Sequence, residues 1–288
     1  MKILIIGSEG YIGSSLTDAL RVSHSVDTCD ILPSTLMMNA QHFEINYGDL
    51  TKNQISGYNL IFLLAAHSSV GMCVKNPEEA IQNNIVNFMK LLSKMNSNQY
   101  LIYASSGSVY DVYNDSKPDE NAKIMKSRNV YDFTKISNDF MASTYEITTI
   151  GLRFGTLSGF SPKIRNDLII NKMTADALTK KSITISNPTA SRSCLGINDL
   201  CRAALTMIDN ISKLHHNTNL FNLCSFNYSI DEIASRIANI TYAKKIYVDD
   251  APTYNFSMST KKFEQVFNFT FTDTVESIVN NLISRDVY

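Results

Sequence analysis

The chain has 288 residues, of which 18% are charged, and a formal net charge of −1 without any basic run, which argues against a nucleic-acid backbone as its main partner. Because no stretch of 18 apolar residues occurs, no segment is predicted to span a membrane. The five cysteines form no CxxC pair and the five histidines show no HExxH spacing, a pattern that predicts free thiols in a reducing cytoplasm and no metal site.

Apolar runs alternate with helical patterns through the first half of the chain. The run KILII at 2–6 ends in a glycine-rich turn and is too short for a signal peptide, so we predict a buried strand there. Further strands are predicted at 25–29, 59–66, 100–105 and 148–154. Several of these runs are apolar without alternation, which is typical of a parallel sheet covered on both faces. Helical periodicity lies between them, most clearly at 77–95, and this alternation predicts a doubly wound α/β fold.

The pattern loosens after about residue 155. A short strand is predicted at 182–186, a helix at 197–211, and an amphipathic helix near the C-terminus with Thr272 or Asp273 as its cap. No tandem repeat or low-complexity linker is visible, so we expect a second, smaller unit in this half of the chain.

The segment GSEGYIG places three glycines directly after the first strand, at the start of a helix. In a dinucleotide site Gly7 allows the tight turn, Gly10 lets backbone N–H groups approach a pyrophosphate, and Gly13 lets the helix pack close to the sheet. The N-terminus of that helix, at Tyr11 and Ile12, then offers donors and a partial positive charge to the phosphates. The alternative is a tight strand–helix turn without a ligand.

A dinucleotide site also requires an acid after the second strand, for the ribose hydroxyls of the adenosine. Asp30 lies at that place, while its rival Asp27 lies inside the strand. Since no Arg or Lys occurs between Asp30 and Gln41, a 2′-phosphate would meet a carboxylate and no cation, which favours NAD over NADP. The segment YGDL adds Asp49 and Leu50, where Asp49 is expected to accept a hydrogen bond from the adenine amino group or to be a plain turn residue.

These features predict a Rossmann-type domain with a smaller C-terminal α/β substrate-binding domain. The NAD-binding domain is assigned to 1–155, with 190–218 returning to it. The substrate-binding domain is assigned to 156–189 and 219–288.

Two Tyr–Lys pairs occur at a spacing of four residues, Tyr113–Lys117 and Tyr131–Lys135. The first pair lies among turn residues and precedes Pro118, which disfavours a helix there. The second continues into a helical pattern with Ile136, Phe140 and Met141, so that its two side chains share one helix face. An ammonium near a phenol favours the phenolate and enables the tyrosine to take a proton from an alcohol. An exposed helical Tyr and Lys without a role is the alternative.

The segment YASSGSVY ends a predicted strand, at the sheet edge where ligands bind in such folds. It contains Ser105 and Ser106. We expect the hydroxyl of Ser106 to hydrogen-bond a substrate hydroxyl or ketone, which makes Ser106, Tyr131 and Lys135 the predicted catalytic residues.

With these residues together, the chain resembles the extended short-chain dehydrogenase/reductase family of nucleotide-sugar epimerases and dehydratases. The resemblance implies that the segment FLLAAHSSV lines the cofactor, as does an asparagine of the next helix, and that an arginine of SRSCLGINDLCRA grips the diphosphate of a nucleotide sugar. These positions are Leu64, Ala65, Ala66, His67, Asn84 and Arg192. Further candidates to face the sugar are Thr156, Asn171, Lys163 and Arg165. For the last three, the alternative is that they are solvated loop residues.

The chain departs from the family at several positions. Its dehydratases carry an Asp–Glu pair just after the catalytic Ser or Thr, where this chain has Gly107 and Ser108; a 4,6-dehydratase is therefore not expected. Thr156, Gly196 and Asp111 replace the usual Asn, His and Gly, and leave the sugar open.

The resemblance implies an NAD-dependent epimerase that acts at C4 of a nucleotide sugar through a transient 4-keto sugar. A net 4-dehydrogenase or 4-ketoreductase remains open because the same residues serve it, and a non-catalytic dinucleotide-binding regulator is a more remote alternative. The helices at 77–95 and 129–146 resemble those that form a four-helix bundle across the family's dimer, so a homodimer is expected.

Overall fold

The computed structural model describes residues 1–35, 40–111, 113, 117–124, 126–214, 218–249 and 251–288. The chain divides into two compact units. The first comprises residues 1–109, 123–153 and 207–221, and the second comprises residues 110–122, 154–206 and 222–288.

A seven-stranded sheet is the centre of the first unit. In chain order its strands are β1 (Lys2–Ile6), β2 (Ser25–Asp30), β3 (His42–Glu44), β4 (Leu60–Leu63), β5 (Tyr100–Ser106), β6 (Thr148–Phe154) and β10 (Thr218–Leu223). The order across the sheet is β10-β6-β5-β4-β1-β2-β3, and the pairs β1–β2, β1–β4, β2–β3 and β4–β5 are parallel. The chain returns to the middle of the sheet after β3, which is the strand order of a doubly wound fold and confirms the predicted fold class.

The helices of this unit connect successive parallel strands. They are α1 (Tyr11–Leu20), α2 (Lys52–Ile55), α3 (Val70–Lys75), α4 (Pro77–Ile81), α5 (Asn87–Lys94) and α6 (Val130–Ala142). A π-helical turn at Gln82–Val86 joins α4 to α5, so that the predicted helix at 77–95 is continuous but widened by one turn. Pro77 begins α4 because its missing N–H is no loss in the first turn.

Apolar side chains of the strands and helices form one core in the first unit. Ile61, Leu91, Leu101 and Tyr103 are among its buried members. The strands β1 and β4 are buried along nearly their whole length, which explains their apolar sequences without alternation.

The second unit combines small sheets with helices. Its strands are β7 (Thr156–Ser158), β8 (Ser182–Ile185), β9 (Ser191–Gly196), β11 (Phe226–Ser229) and β12 (Lys244–Tyr247). The sheet β11-β9-β7 has an antiparallel and a parallel pair, and β12-β8 is parallel. The helices are α7 (Ile169–Lys180), α8 (Ile197–Asp209), α9 (Ile230–Thr241), α10 (Lys261–Phe267) and α11 (Val275–Ser284), and a second core is built mainly from α7, α9 and α11.

The structure differs from the predicted layout in several places. Residues 110–122, predicted as part of the NAD-binding domain 1–155, belong to the second unit. Residues 190–206 belong to the second unit because β9 pairs there with β7 and β11, and only 207–221 lie with the first. Thr274, rather than Thr272 or Asp273, caps the last helix through its hydroxyl on Ser277 N–H. The carboxylate of Asp273 instead accepts a hydrogen bond from Asp199 N–H.

No helix among the described residues is long and apolar enough to cross a membrane.

Candidate active site

The glycine turn between β1 and α1 is held by close backbone contacts. Gly7 has a φ of +91°, and a Cβ added there would lie 2.5 Å from the Ala65 nitrogen. A Cβ at Gly13 would collide with the Gly7 carbonyl oxygen, so α1 packs against the turn at a distance that only glycine permits. Gly10, by contrast, would meet only that same oxygen at 3.3 Å. The turn therefore remains open at Gly10, where a pyrophosphate is expected.

The residues present fit a dinucleotide. Gly10 is the N-cap of α1 and provides no side-chain cap, so the first N–H groups, at Tyr11 and Ile12, are placed to receive an anion. The hydroxyl of Ser8, buried within the turn, has no hydrogen-bond partner in the described part of the protein. A phosphate oxygen would supply the acceptor that this hydroxyl lacks.

Asp30 ends β2 beside this turn. Its Oδ2 accepts a hydrogen bond from Glu9 N–H at 2.9 Å and its Oδ1 accepts one from Leu32 N–H at 3.2 Å. The alternative candidate, Asp27, is buried and accepts a hydrogen bond from the Tyr58 hydroxyl at 2.8 Å. Its carboxylate is therefore used within the packed interior of the unit. Asp30 is thus the carboxylate available to a ribose.

A second carboxylate next to Asp30 was not predicted from the sequence. Glu9 is 6% exposed and its Oε2 accepts a hydrogen bond from the Thr35 hydroxyl at 2.5 Å.

Asp49 is exposed on a 3₁₀ turn, whereas Leu50 is fully buried in the core; Leu50 therefore contributes packing to that turn.

A cavity lies at the carboxyl ends of β4 and β5. Its lining includes five residues predicted as cofactor-binding or catalytic, namely Leu64, Ala65, Ala66, Asn84 and Lys135, together with Tyr47, Leu63, Tyr103, Ala104 and Asn138. Asn84 lies on the π-helical turn, and its Oδ1 accepts from His67 N–H at 2.8 Å while its Nδ2 donates to the His67 carbonyl at 3.2 Å. Its amide therefore shapes the loop after β4, and π-helical turns of this kind are frequent at functional sites.

The Tyr131–Lys135 pair lies on α6, as predicted. The Asn129 side chain caps α6 by accepting from Asp132 N–H at 3.0 Å. The Lys135 ammonium donates to the Ala104 carbonyl at 2.8 Å and lies 5.7 Å from the centre of the Tyr131 ring. The alternative pair, Tyr113 and Lys117, is in no helix of the described chain, and residues 114–116 between its members lie outside the described residues.

Lys135 is 4% exposed. Burial lowers its pKa to about 8, and the carboxylate of Asp139, one turn further along α6, opposes that effect. Asp139 is itself paired with Arg153 at 2.9 Å. The ammonium is therefore held by the Ala104 carbonyl and stabilised by the Asp139 carboxylate. Because burial outweighs this stabilisation, it gives up its proton more readily than a surface lysine does.

Ser106 is the last residue of β5, at the edge of the sheet. Its Oγ lies 2.8 Å from Ser108 Oγ, and the Ser108 hydroxyl donates to Asp132 Oδ1 at 2.5 Å. Two hydrogen bonds thus connect Ser106 to the residue that follows Tyr131. Ser105 beside it is buried.

Apart from Ser106, the predicted substrate residues belong to the second unit. Arg192 is 9% exposed, one nitrogen of its guanidinium donates to the Thr253 hydroxyl, and its Nη1 is buried without a partner among the described residues. Burial lowers the pKa of Arg192, and such a guanidinium is suited to an anionic ligand. Thr156 begins β7 and is half-buried.

Asn171 has a different setting from the predicted one. It is fully buried, its Oδ1 accepts from Gly159 N–H at 2.9 Å, and its Nδ2 donates to the Arg165 carbonyl at 3.0 Å. Its amide therefore organises the loop before α7. Arg165 pairs with Asp167 at 2.6 Å, and Lys163 is half-buried in the same loop.

The sequence matches a known protein family over most of its length. The family model "NAD dependent epimerase/dehydratase family" matches residues 3–224. The chain belongs to this family. The match confirms the predicted family. Because this family is NAD-dependent, the match also agrees with the predicted cofactor.

The chain is similar to individual relatives over part of their length. It is 34% identical over 212 residues to Protein CapI of Staphylococcus aureus, covering 65% of this chain and 63% of that protein. It is 27% identical over 242 residues to UDP-glucuronate 4-epimerase 6 of Arabidopsis thaliana, covering 74% and 52%. The chain thus spans about half to two thirds of the length of these relatives.

Several solved structures have the same fold as this chain. The UDP-glucuronic acid 4-epimerase from Bacillus cereus, in complex with UDP-glucuronic acid and NAD, superimposes with a TM-score of 0.87 at 21% identity, and the whole of both chains is covered. MoeE5 in complex with UDP-glucuronic acid and NAD gives a TM-score of 0.86 at 21% identity, again over the whole of both chains.

Proposed function

We propose that the protein is an NAD-dependent nucleotide-sugar 4-epimerase that acts through a transient 4-keto sugar. The observation that carries the proposal is the placement of Tyr131 and Lys135 on α6 and of Ser106 at the end of β5, in the unit that also contains the glycine turn. The first unit would bind NAD and the second the nucleotide sugar.

The proposed roles follow from the chemistry of each side chain. Tyr131 removes the proton from the sugar hydroxyl and later returns it. Lys135 stabilises the phenolate, since its ammonium lies near the ring. Ser106 holds the sugar oxygen at the sheet edge. The glycine turn and Asp30 would hold NAD, which when bound would supply the acceptor and donor of the hydride at the sugar carbon.

The relatives support a UDP-sugar as substrate. The curated relative from Arabidopsis thaliana acts, by its name, on UDP-glucuronate, and solved structures with this fold contain UDP-glucuronic acid or UDP-glucose. Arg192, with its unpartnered Nη1, is the proposed ligand of the diphosphate. UDP-glucuronic acid is therefore the first sugar to test.

The residues after Ser106 favour epimerisation over dehydration. Gly107 provides no acid or base, and the hydroxyl of Ser108 is engaged with Asp132. A dehydratase needs a proton donor and a base at these places, so the described site lacks that part of the machinery.

The test is incubation of the purified protein with NAD and a panel of UDP-, GDP-, dTDP- and CDP-sugars, followed by NMR of the sugar products. We expect a C4 epimer of one UDP-sugar and no net change in the NAD concentration. Net formation of NADH, or consumption of NADH with a 4-keto sugar, would support the dehydrogenase or ketoreductase alternative instead.

We also propose a homodimer. The helices α4 and α5 each contact α6. The three helices expose large apolar side chains, namely Ile81, Met89, Phe133 and Phe140. Phe133 and Phe140 are two turns apart on one face of α6. An apolar surface on adjacent helices supports pairing with a second copy of the chain.

A further inference from the structure

Asp132 is a buried carboxylate in the first turn of α6. It is 1% exposed and it follows Tyr131 directly in the chain. Its Oδ1 accepts a hydrogen bond from the Ser108 hydroxyl at 2.5 Å, and its Oδ2 accepts one from the Asn129 amide at 2.8 Å. A charge buried this completely requires strong hydrogen bonds, and a hydroxyl held by a carboxylate has a fixed direction.

The direction of the next hydrogen bond follows from a count of protons. Ser108 has one hydroxyl hydrogen, and it is committed to Asp132 because a carboxylate only accepts. In the contact of 2.8 Å between the two serine hydroxyls, Ser106 must therefore be the donor. Ser106 Oγ also accepts from Ser108 N–H at 3.2 Å. A serine oxygen has two acceptor positions, so one remains for a ligand.

We infer that Asp132, through Ser108, is a positioning residue that fixes Ser106 as a hydrogen-bond acceptor toward the sugar. Resting on the proposed function, this inference means that Ser106 orients the sugar hydroxyl by accepting its hydrogen. The hydroxyl then rotates that hydrogen from Ser106 to Tyr131, which removes it as a proton. A ketone has no such hydrogen, so the site holds the hydroxyl form of the sugar more firmly than the keto form. This preference lowers the fraction of the bound sugar that is present in the keto form.

A simpler role for Asp132 is stabilisation of the helix. An acidic residue in the first turn interacts favourably with the helix dipole, and Asn129 and Asp132 bond to each other at this N-terminus. That role predicts a change in stability alone. If Asp132 instead fixes Ser106 as an acceptor, its replacement should also change the ratio of the affinities for ligands that can and cannot donate a hydrogen bond from C4.

The experiment compares two ligands by calorimetry, with NAD present and in the Tyr131→Phe background so that no turnover occurs. The ligands are UDP-glucuronic acid and its 4-deoxy-4-fluoro analogue, which cannot donate a hydrogen bond from C4. The variants are Asp132→Ala, Asp132→Asn, Ser108→Ala and the double variant Ser108→Ala/Asp132→Ala. Asn129→Ala is the matched control, since it removes the helix cap and a contact of Asp132 but leaves Ser108 in place.

We expect the parent to bind the hydroxyl ligand more tightly than the fluoro ligand. Asp132→Ala and Ser108→Ala should each reduce this preference about fivefold, the value of one ordinary hydrogen bond. The double variant should show no further loss, because both residues act through the same oxygen. Asp132→Asn, whose amide oxygen still accepts, should restore part of the preference. Asn129→Ala should lower the stability and leave the preference unchanged.

Equal weakening of both ligands in Asp132→Ala, or a loss in the double variant equal to the product of the single losses, would overturn the inference. If the parent binds neither ligand, the proposed function fails for this sugar, and the unfolding free energies of the same variants then provide the test. Non-additive effects of Ser108→Ala and Asp132→Ala on stability support the hydrogen-bonded chain, whereas additive effects overturn it.

Discussion

At the scale of single residues, the proposed site depends on a phenol and an ammonium placed on one face of a helix. The ammonium of Lys135 lies 5.7 Å from the centre of the Tyr131 ring and is buried against a backbone carbonyl. The two side chains therefore share an environment in which the charge of one affects the proton of the other.

Replacing the phenol tests the proposed base. Tyr131→Phe should reduce kcat for the nucleotide sugar by about 10²–10⁴-fold, the usual contribution of a general base. Binding of the nucleotide sugar should change much less, because the ring and its packing remain. Steady-state kinetics and calorimetry on the same preparation measure the two effects, and undiminished turnover would exclude Tyr131 as the base.

The activity should fall at alkaline pH. Because burial lowers the pKa of Lys135 to about 8 from 10.5, the ammonium is present below that pH and is lost above it. Without the charge the phenolate of Tyr131 is less stable, so kcat/KM should decline above pH about 8. The pH–rate profile is the measurement, with NMR titration of labelled lysine as its control; a flat profile to pH 10 would contradict the proposed role of the ammonium.

At the scale of elements, the glycine turn connects the sheet to α1. Gly13 packs against the Gly7 carbonyl, whereas Gly71, which also lies in a helix, has no neighbour within 4 Å of an added Cβ. The two positions therefore form a matched pair for the same substitution.

Gly13→Ala and Gly71→Ala should have opposite effects. At Gly71 the alanine should stabilise the protein by up to ~1 kcal/mol, since glycine is the weaker helix former. At Gly13 overpacking against the backbone should cost about 1–3 kcal/mol and weaken the binding of NAD. Denaturant unfolding and NAD titration measure both. Similar stability changes in the two variants would mean that α1 is not closely packed on the turn.

At the scale of the whole molecule, the exposed apolar side chains of α5 and α6 are the surface proposed to join two copies. Phe140 is 65% exposed and Met89 is 41% exposed. The sequence pattern had placed Phe140 in the apolar stripe of α6, and an apolar stripe is normally the buried face of a helix; here it faces away from the core of its unit.

Phe140→Asp should disrupt the proposed dimer. We expect a light-scattering mass of twice 32.2 kDa, the mass of one chain, for the unmodified protein and the single value for the variant, since two buried charges would face each other. Val22→Asp is the control, because Val22 is 85% exposed on a loop outside these helices. A single-chain mass for the unmodified protein would refute the dimer.

The elements with local signals could be predicted from the sequence. The strands β1 and β4 have continuous apolar runs, and GSEGYIG lies directly between a strand and a helix. Tyr131 was distinguished from Tyr113 because Pro118 prevents a helix around the latter. In each case the physical constraint acts over a few neighbouring residues.

The strand β8 of the second unit was predicted, whereas β9 and β11 of the same unit were not, because they lack such local signals. β9 and β11 pair with each other although about thirty residues separate them, and neither has a long apolar run. Their formation depends on partners that are distant in the sequence, and strand propensity is a weak guide in such cases.

The sequence by itself determined the fold class, the family and the cofactor, and it predicted which Tyr–Lys pair lies on a helix, because each of these depends on residues that are close together in the chain. Only the tertiary structure decided how polar side chains are used. It assigned Asp27 to the core and left Asp30 at the turn, engaged the Asn171 amide with a loop, and brought Ser106, Ser108 and Asp132 into one hydrogen-bonded chain. A hydrogen bond depends on distance and direction between atoms, and these are set by packing rather than by the order of residues.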